Sequence, residues 1–235
     1  QPTSTPMPTP TQFDPRRGGT VEMMEPSNLD HWDVHQCSVG NNCLVNTSPL
    51  YNGLFQYDPN TDAPGDIIND LIADWSLSAD GLTYTFTIVD NAVWHDGNPV
   101  TSEDVQFSLD RMTDPDAFRP HLGALKAFYT PGNTKIVDAT TVETTVDSIA
   151  PAFVPYLAAD YAKILPKHHF ASLSDDDAKL EANILGSGPF KLTSHNQDIS
   201  WEVERNNDYF KPGLPYWDGI KHYIITDGGR AFSAF

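Results

Sequence analysis

Positive charge is what this chain has least of. Lys and Arg together number 14 against 32 Asp and Glu, a formal charge of −18 at neutral pH. A surface that neutralises phosphates needs clustered cations, so this balance argues against a nucleic-acid partner. The acids are spread along the whole chain, which fits a solvated, aggregation-resistant surface better than a trap for a cationic ligand. No apolar run approaches the roughly 20 residues of a membrane-spanning helix. There is no GxSxG, HExxH, phosphate loop or Cys-His signature, so nothing points to an enzyme and no catalytic residue is assigned. A glycosidase-like carboxylate pair has no fixed spacing, and so acidic a chain offers such pairs everywhere. There is no internal repeat. Cysteine is nearly absent, with only Cys37 and Cys43.

What is present is enough for a core: 235 residues, 39% of them hydrophobic, fit one or two domains. Residues 1–17 open as QPTSTPMPTPTQ, a Pro/Thr-rich stretch too apolar-poor to repay its ordering entropy, and are expected to form a disordered tether. A strand is expected over Gly19–Met24, a short helical pattern over Leu50–Leu54, and a helix over Asp66–Trp75 with Ile68, Leu71, Ile72 and Trp75 on one side. Leu82, Tyr84, Phe86 and Ile88 alternate with threonines, the period-two mark of a half-buried strand. Asp96-Gly97 and Asn98-Pro99 make a turn. Thr101 then caps a helix whose first turn carries Glu103 and Asp104 and whose buried face is Val105, Leu109 and Met112. Downstream come a proline-punctuated loop and helix over Asp114–Gly132 and a hairpin over Thr134–Val146. Helices at Ala152–Tyr161 and Ser174–Ile184 follow, the second with Asp175–Asp177 matching its dipole. Strands at Ser200–Glu204 and Ile220–Thr226 complete the pattern. Such irregular alternation predicts a mixed α/β (α+β) lobe rather than a regular doubly wound sheet.

Four segments in order carry a resemblance. The first two are LYNGLFQYDP from Leu50 and IADWSLSADGLTY from Ile72, running into WHDGNPVTSEDVQFSLDR from Trp94. GSGPFKL from Gly186 follows, and the tail is RNNDYF with YWDGIKHYII. Together they resemble family 5 of the extracellular solute-binding proteins, the peptide- and nickel-binding receptors of ABC importers. The matching signature residues are Trp94, His95, Asp96, Gly97, Pro99, Thr101, Glu103, Asp104, Val105, Phe107, Ser108, Leu109 and Arg111. The resemblance implies a periplasmic-binding-protein-like type II lobe, incomplete, with residues 18–235 as its N-terminal lobe. Asp227-Gly228-Gly229 and RAFSAF would open a helix leading to a second lobe. An isolated lobe is then expected to expose core surfaces and to aggregate or bind hydrophobic dyes. The resemblance further implies capture of a solute, most naturally a peptide, between two lobes. Delivery would be to a membrane permease, by a protein monomeric at full length, periplasmic or extracellular and tethered as a lipoprotein. No cofactor is implied. A ligand sensor without transport and a secreted hydrolase are the other readings.

By resemblance the loop after the first strand and the segment after the signature helix face the ligand. That singles out Glu25, Leu29, Asp30 and Trp32 in the first and Phe118 and His121 in the second. Glu25 or Asp30 would meet a peptide ammonium, and Trp32 and Phe118 would form apolar walls. Core packing of both aromatics and simple solvation of the acids are the plain alternatives. The residues leave disulfide, free thiols and a metal site with His31 and His35 all open for Cys37 and Cys43. Their spacing is no standard zinc pattern, and an extracytoplasmic location favours the disulfide. His168 and His169 are expected at the surface, and Asp96 is expected to cap its own turn.

Overall fold

Period-two alternation buries Tyr84, Phe86 and Ile88 and leaves the intervening threonines half-buried, and the strand they form is an inner strand of one of two four-stranded sheets. The computed structural model describes residues 16–27, 29–38, 40–61 and 65–226. In chain order the elements are β1 (Thr20–Glu25), a 3-10 turn at Val34–Gln36, α1 (Gly40–Thr47), a 3-10 turn at Ser48–Leu50, β2 (Phe55–Tyr57), β3 (Ile67–Asn69), β4 (Ile72–Leu77) and β5 (Thr83–Ile88). Then come α2 (Ser102–Thr113), a 3-10 turn at Leu125–Ala127, β6 (Thr134–Ile136), β7 (Thr141–Thr145), α3 (Phe153–Leu157) and α4 (Lys167–Phe170). 3-10 turns at Asp177–Lys179 and Glu181–Asn183 precede β8 (Phe190–Asn196), β9 (Ser200–Arg205) and β10 (Gly219–Ile224).

One sheet has the order β1-β10-β9-β8, with β1 and β10 parallel from Thr20↔Gly219 to Glu25↔Ile224 and the other pairs antiparallel. The second, β4-β5-β7-β6, is antiparallel throughout, and β2 pairs with β3 beside it. Each sheet has its own core. Phe86, Trp94, Leu109, Met112, Val142 and Phe153 fill the second, while Trp32, Leu50, Tyr51, Phe190, Trp201 and Val203 fill the first. The mixed α/β lobe expected from the alternation is what forms.

The signature residues join the two units. Asp104, placed in the first turn of α2, accepts from Thr101 N (2.8 Å), Lys167 N (2.8 Å) and Trp94 Nε1 (3.3 Å), so it ties three segments together as well as meeting the helix dipole. Asp96 caps its turn by accepting from Asn98 N at 3.0 Å. The Gly186–Pro189 turn receives the rest: His95 N donates to Gly186 O, His95 Nε2 and Asn206 Nδ2 to Gly188 O, and Gly188 N to Leu50 O. A Cβ at Gly186 would overlap the Leu50 carbonyl, so only glycine permits this approach. Beside it Asp70 is buried and accepts from Asn52 Nδ2 (2.9 Å) and Gly53 N (3.0 Å), with Lys211 Nζ at 2.6 Å.

Three expectations are corrected. Residues 66–75 form strands β3 and β4 rather than a helix. The three-and-four spacing was real, but Ile67, Ile68 and Ile72 favour an extended chain, and β4 finds a ladder on β5. Residues 174–184 form two separate 3-10 turns instead of one helix, although Ser174 does cap by accepting from Asp177 N at 3.1 Å. Residues 51–54 run extended after their 3-10 turn. Strand β8 had no period-two signal and emerges directly after Pro189. Residues 1–15 of the expected tether, and the 227–235 helix start, lie outside the described residues. Arg17 packs over the Tyr216 ring at 5.0 Å and donates to Gly213 O. Among the described residues no helix is long and apolar enough to cross a membrane.

Candidate functional site

The carboxyl ends of β1 and β10 lie side by side, the place where open α/β sheets put ligands. Glu25 ends β1, is 6% exposed, and accepts a hydrogen bond from His222 Nδ1 at 2.9 Å. The His222 imidazole stacks flat on Trp201, centroids 3.7 Å apart, and Trp201 meets the edge of Trp32 at 6.2 Å. Trp32 in turn meets His195 edge-on at 5.2 Å, and His195 Nδ1 lies 2.7 Å from Glu181. Leu29 packs half-buried against this cluster, and Asp30 is exposed. The structure therefore brings Glu25, Leu29 and Trp32 to one aromatic cluster. Glu25 is occupied by His222, Trp32 is 4% exposed, and Asp30 is the member that faces solvent.

Next to it lies a ladder of charges, buried except at Asp175. Asp33, fully buried, receives both nitrogens of the Arg111 guanidinium at 2.5 and 3.1 Å. Burial alone would raise the Asp33 pKa, but Arg111 overrides this and holds the carboxyl down at about 2. Arg111 also donates to His35 Nδ1 at 2.9 Å, so His35 carries its proton on Nε2 and donates it to Lys163 O at 2.8 Å. Burial first, then the adjacent guanidinium, push the His35 pKa down to about 3. Asp175 takes a two-pronged bond from Arg119 at 2.7 and 2.9 Å and lies 3.5 Å from Arg111, which lowers its pKa. Asp175 thus works as an ion-pair partner in the turn where dipole matching was expected.

Arg119 ties down the segment after α2 by donating to Phe118 O (3.1 Å) and Arg111 O (3.3 Å), and Lys126 Nζ donates to Asp114 O at 2.6 Å. Phe118 itself is 68% exposed, and His121 stacks on Tyr161 at 4.1 Å. A groove of about 370 Å³ runs along this segment, walled by Phe107 and Phe170 with Arg111, Arg119 and Asp175 in its lining. The sequence reading missed Asp33, Arg119 and His222, considered His35 only as a metal ligand and assigned Asp175 only to dipole matching, and left Arg111 without a role. One signal was available: a chain so short of cations places two arginines eight residues apart at the end of its signature helix.

Cys37 and Cys43 are joined in a disulfide that clamps the first loop to α1. Among the described residues no group of three or more His, Cys, Asp or Glu is arranged to hold a metal ion. His168 pairs with Asp96 at the surface (2.9 Å) and His169 Nε2 donates to Asn183 O at 3.0 Å.

Comparison with known proteins fits this architecture. The profile of bacterial extracellular solute-binding proteins, family 5 (middle region), matches residues 66–235. The chain belongs to that family. It is 31% identical over 203 residues to the glutathione-binding protein GsiB of Pectobacterium atrosepticum, covering 86% of this chain and 36% of that protein. Among solved structures it resembles the periplasmic binding protein DppA of Helicobacter pylori in complex with the peptide STSA. That match has TM-score 0.79 and 25% identity, and covers 93% of this chain and 45% of that one. It also resembles AgaA of Agrobacterium tumefaciens in complex with agropinic acid, with TM-score 0.82 and 26% identity over 92% of this chain and 42% of that one. The chain thus spans about a third to a half of the length of these relatives. These relatives are binding proteins by name, and the family is described as extracellular.

Proposed function

We propose that this chain supplies one face of a two-lobed receptor that captures a peptide or peptide-like solute outside the cytoplasmic membrane. Delivery is to an ABC permease. The observation that carries the reading is the charge ladder: the segments after β1 and after α2 are tied to one set of largely buried ion pairs, and Asp30 and Phe118 on those segments are exposed. An exposed acid and an exposed aromatic on a rigid base suit an ammonium end and an apolar side chain. Trp32 and Glu25 then support the face through the aromatic cluster, and His121 extends it on the Tyr161 side. The names of the relatives, glutathione-binding and peptide-bound, support the peptide class. Residues 1–17 serve as a tether to the membrane surface, and residues from 18 onward form the first lobe, closing on a second by hinge motion.

The test is a calorimetric titration of the polypeptide carrying this chain with glutathione, a dipeptide and a nonapeptide. Saturable binding of at least one, weakened by Asp30→Asn or Phe118→Ala without loss of fold, supports the reading. Binding of agropinic acid or a nickel–histidine complex with none of the peptides would overturn the ligand class.

A further inference from the structure

Three stretches of chain meet at the ladder, and each is held by a charge it cannot keep without another. Asp33 of the first loop has a fully buried side chain, and Arg111 on α2 is only 9% exposed. Separating them would strand a charge away from water, so neither moves alone. Asp175 is 44% exposed yet touches both arginines, and Arg119 is 2% exposed. Gln36 crosses the remaining gap, donating to Asp33 Oδ2 at 2.5 Å and to Asp175 O at 2.7 Å. Arg119 closes the circuit on the backbone at Phe118 O and Arg111 O.

We propose that Arg111 is the positioning residue of the ligand face: its guanidinium, shared between Asp33 and Asp175, makes the loop after β1 and the segment after α2 loosen and order as one unit. Ligand contact at either segment then orders both. This rests on the proposed function for its meaning in binding, but the coupling itself is a property of the unliganded chain. Arg111 touches no solute in this scheme. It acts through Asp33 on the residues from Leu29 to Val34, and through Asp175 and Arg119 on Pro115 to Leu122.

Amide hydrogen exchange on the wild type, Asp175→Asn and Arg111→Lys tests it. Asp175 is the accessible member, so its substitution spares the core. It is expected to speed exchange about tenfold in both 29–34 and 115–122 while β8 and β9 keep their wild-type rates. Arg111→Lys keeps the charge but loses the two-pronged geometry, and is expected to loosen the same two segments further. Acceleration of 115–122 alone in Asp175→Asn would overturn the coupling. Equal acceleration throughout the chain would reduce the ladder to ordinary core stabilisation and overturn it as well. Should Arg111→Lys fail to fold, Asp175→Asn decides. Glutathione serves as the ligand probe: it is expected to protect both segments in the wild type and one of them in Asp175→Asn. No protection in the wild type would count against the proposed ligand class and leave the exchange result standing.

Discussion

Gly186→Ala should be among the most damaging single substitutions this chain can take. The added methyl would overlap the carbonyl oxygen of Leu50, a backbone atom that cannot rotate away. To relieve it the 186–189 turn must retreat from the 48–51 segment. That retreat lengthens the bond from Gly188 N to Leu50 O, now 2.9 Å, and the bond from His95 N to Gly186 O, now 2.8 Å. Two buried backbone bonds lost without replacement cost about 1–3 kcal/mol each, and overpacking adds about 1–3 kcal/mol. The sum is about 3–9 kcal/mol, a large part of the roughly 5–15 kcal/mol that holds a domain folded. Gly188→Ala should behave alike, since its Cβ would lie 2.6 Å from Tyr51 N. Gly123→Ala is the control: nothing lies within 4 Å of its Cβ, so it should be neutral or slightly stabilising. Urea unfolding followed by tryptophan fluorescence reads all three as shifts in midpoint. A Gly186→Ala variant within about 1 kcal/mol of wild type would refute the idea that this turn is the joint between the two units.

Stability should fall as pH drops below about 6.5. His35 and His95 have folded pKa values of about 3 and about 4 against 6.5 unfolded, so the unfolded chain binds more protons throughout that window. Each contributes a loss of about 2 kcal/mol between pH 7.5 and 5. His35→Gln should flatten that slope, and an unchanged slope in the variant would show that the imidazole is not the titrating group. Asp33, held at about 2 against 3.8 unfolded, adds a further loss only as pH falls from about 4 toward 2. Asp70→Asn should cost about 3–5 kcal/mol, because it turns an amide toward donors and leaves Lys211 unpaired; a denaturation midpoint close to wild type would argue against it. Reducing the Cys37–Cys43 disulfide, which closes a loop of sequence separation 6, should cost about 2 kcal/mol, with a two-proton mass gain confirming the reduction.

Elements whose own periodicity agrees with their surroundings were legible without coordinates. The β5 strand, the α2 helix with its Thr101 start, and the 134–146 hairpin all carry a local pattern that tertiary packing reinforces. Residues 66–75 and 174–184 show where local pattern and environment disagree. A spacing compatible with a helix yielded to a strand because β5 offered ladder partners, and a capped start stopped after one turn at a time. The order of signature segments determined the family, because each is a short run of turn, cap and strand residues whose physical demands are local. What the segments do for one another was decided only in three dimensions. Gly186 faces Leu50 across 136 positions of sequence, and Glu25 faces His222 across 197. The ladder is the clearest case. Charge in sequence shows no sign of burial, and Asp33, Arg111, Arg119 and Asp175 read as four more charges on an acidic chain. Only the folded packing removes Asp33, Arg111 and Arg119 from water and sets the half-exposed Asp175 against both arginines, which turns four solvated charges into the fixed base of the candidate ligand face.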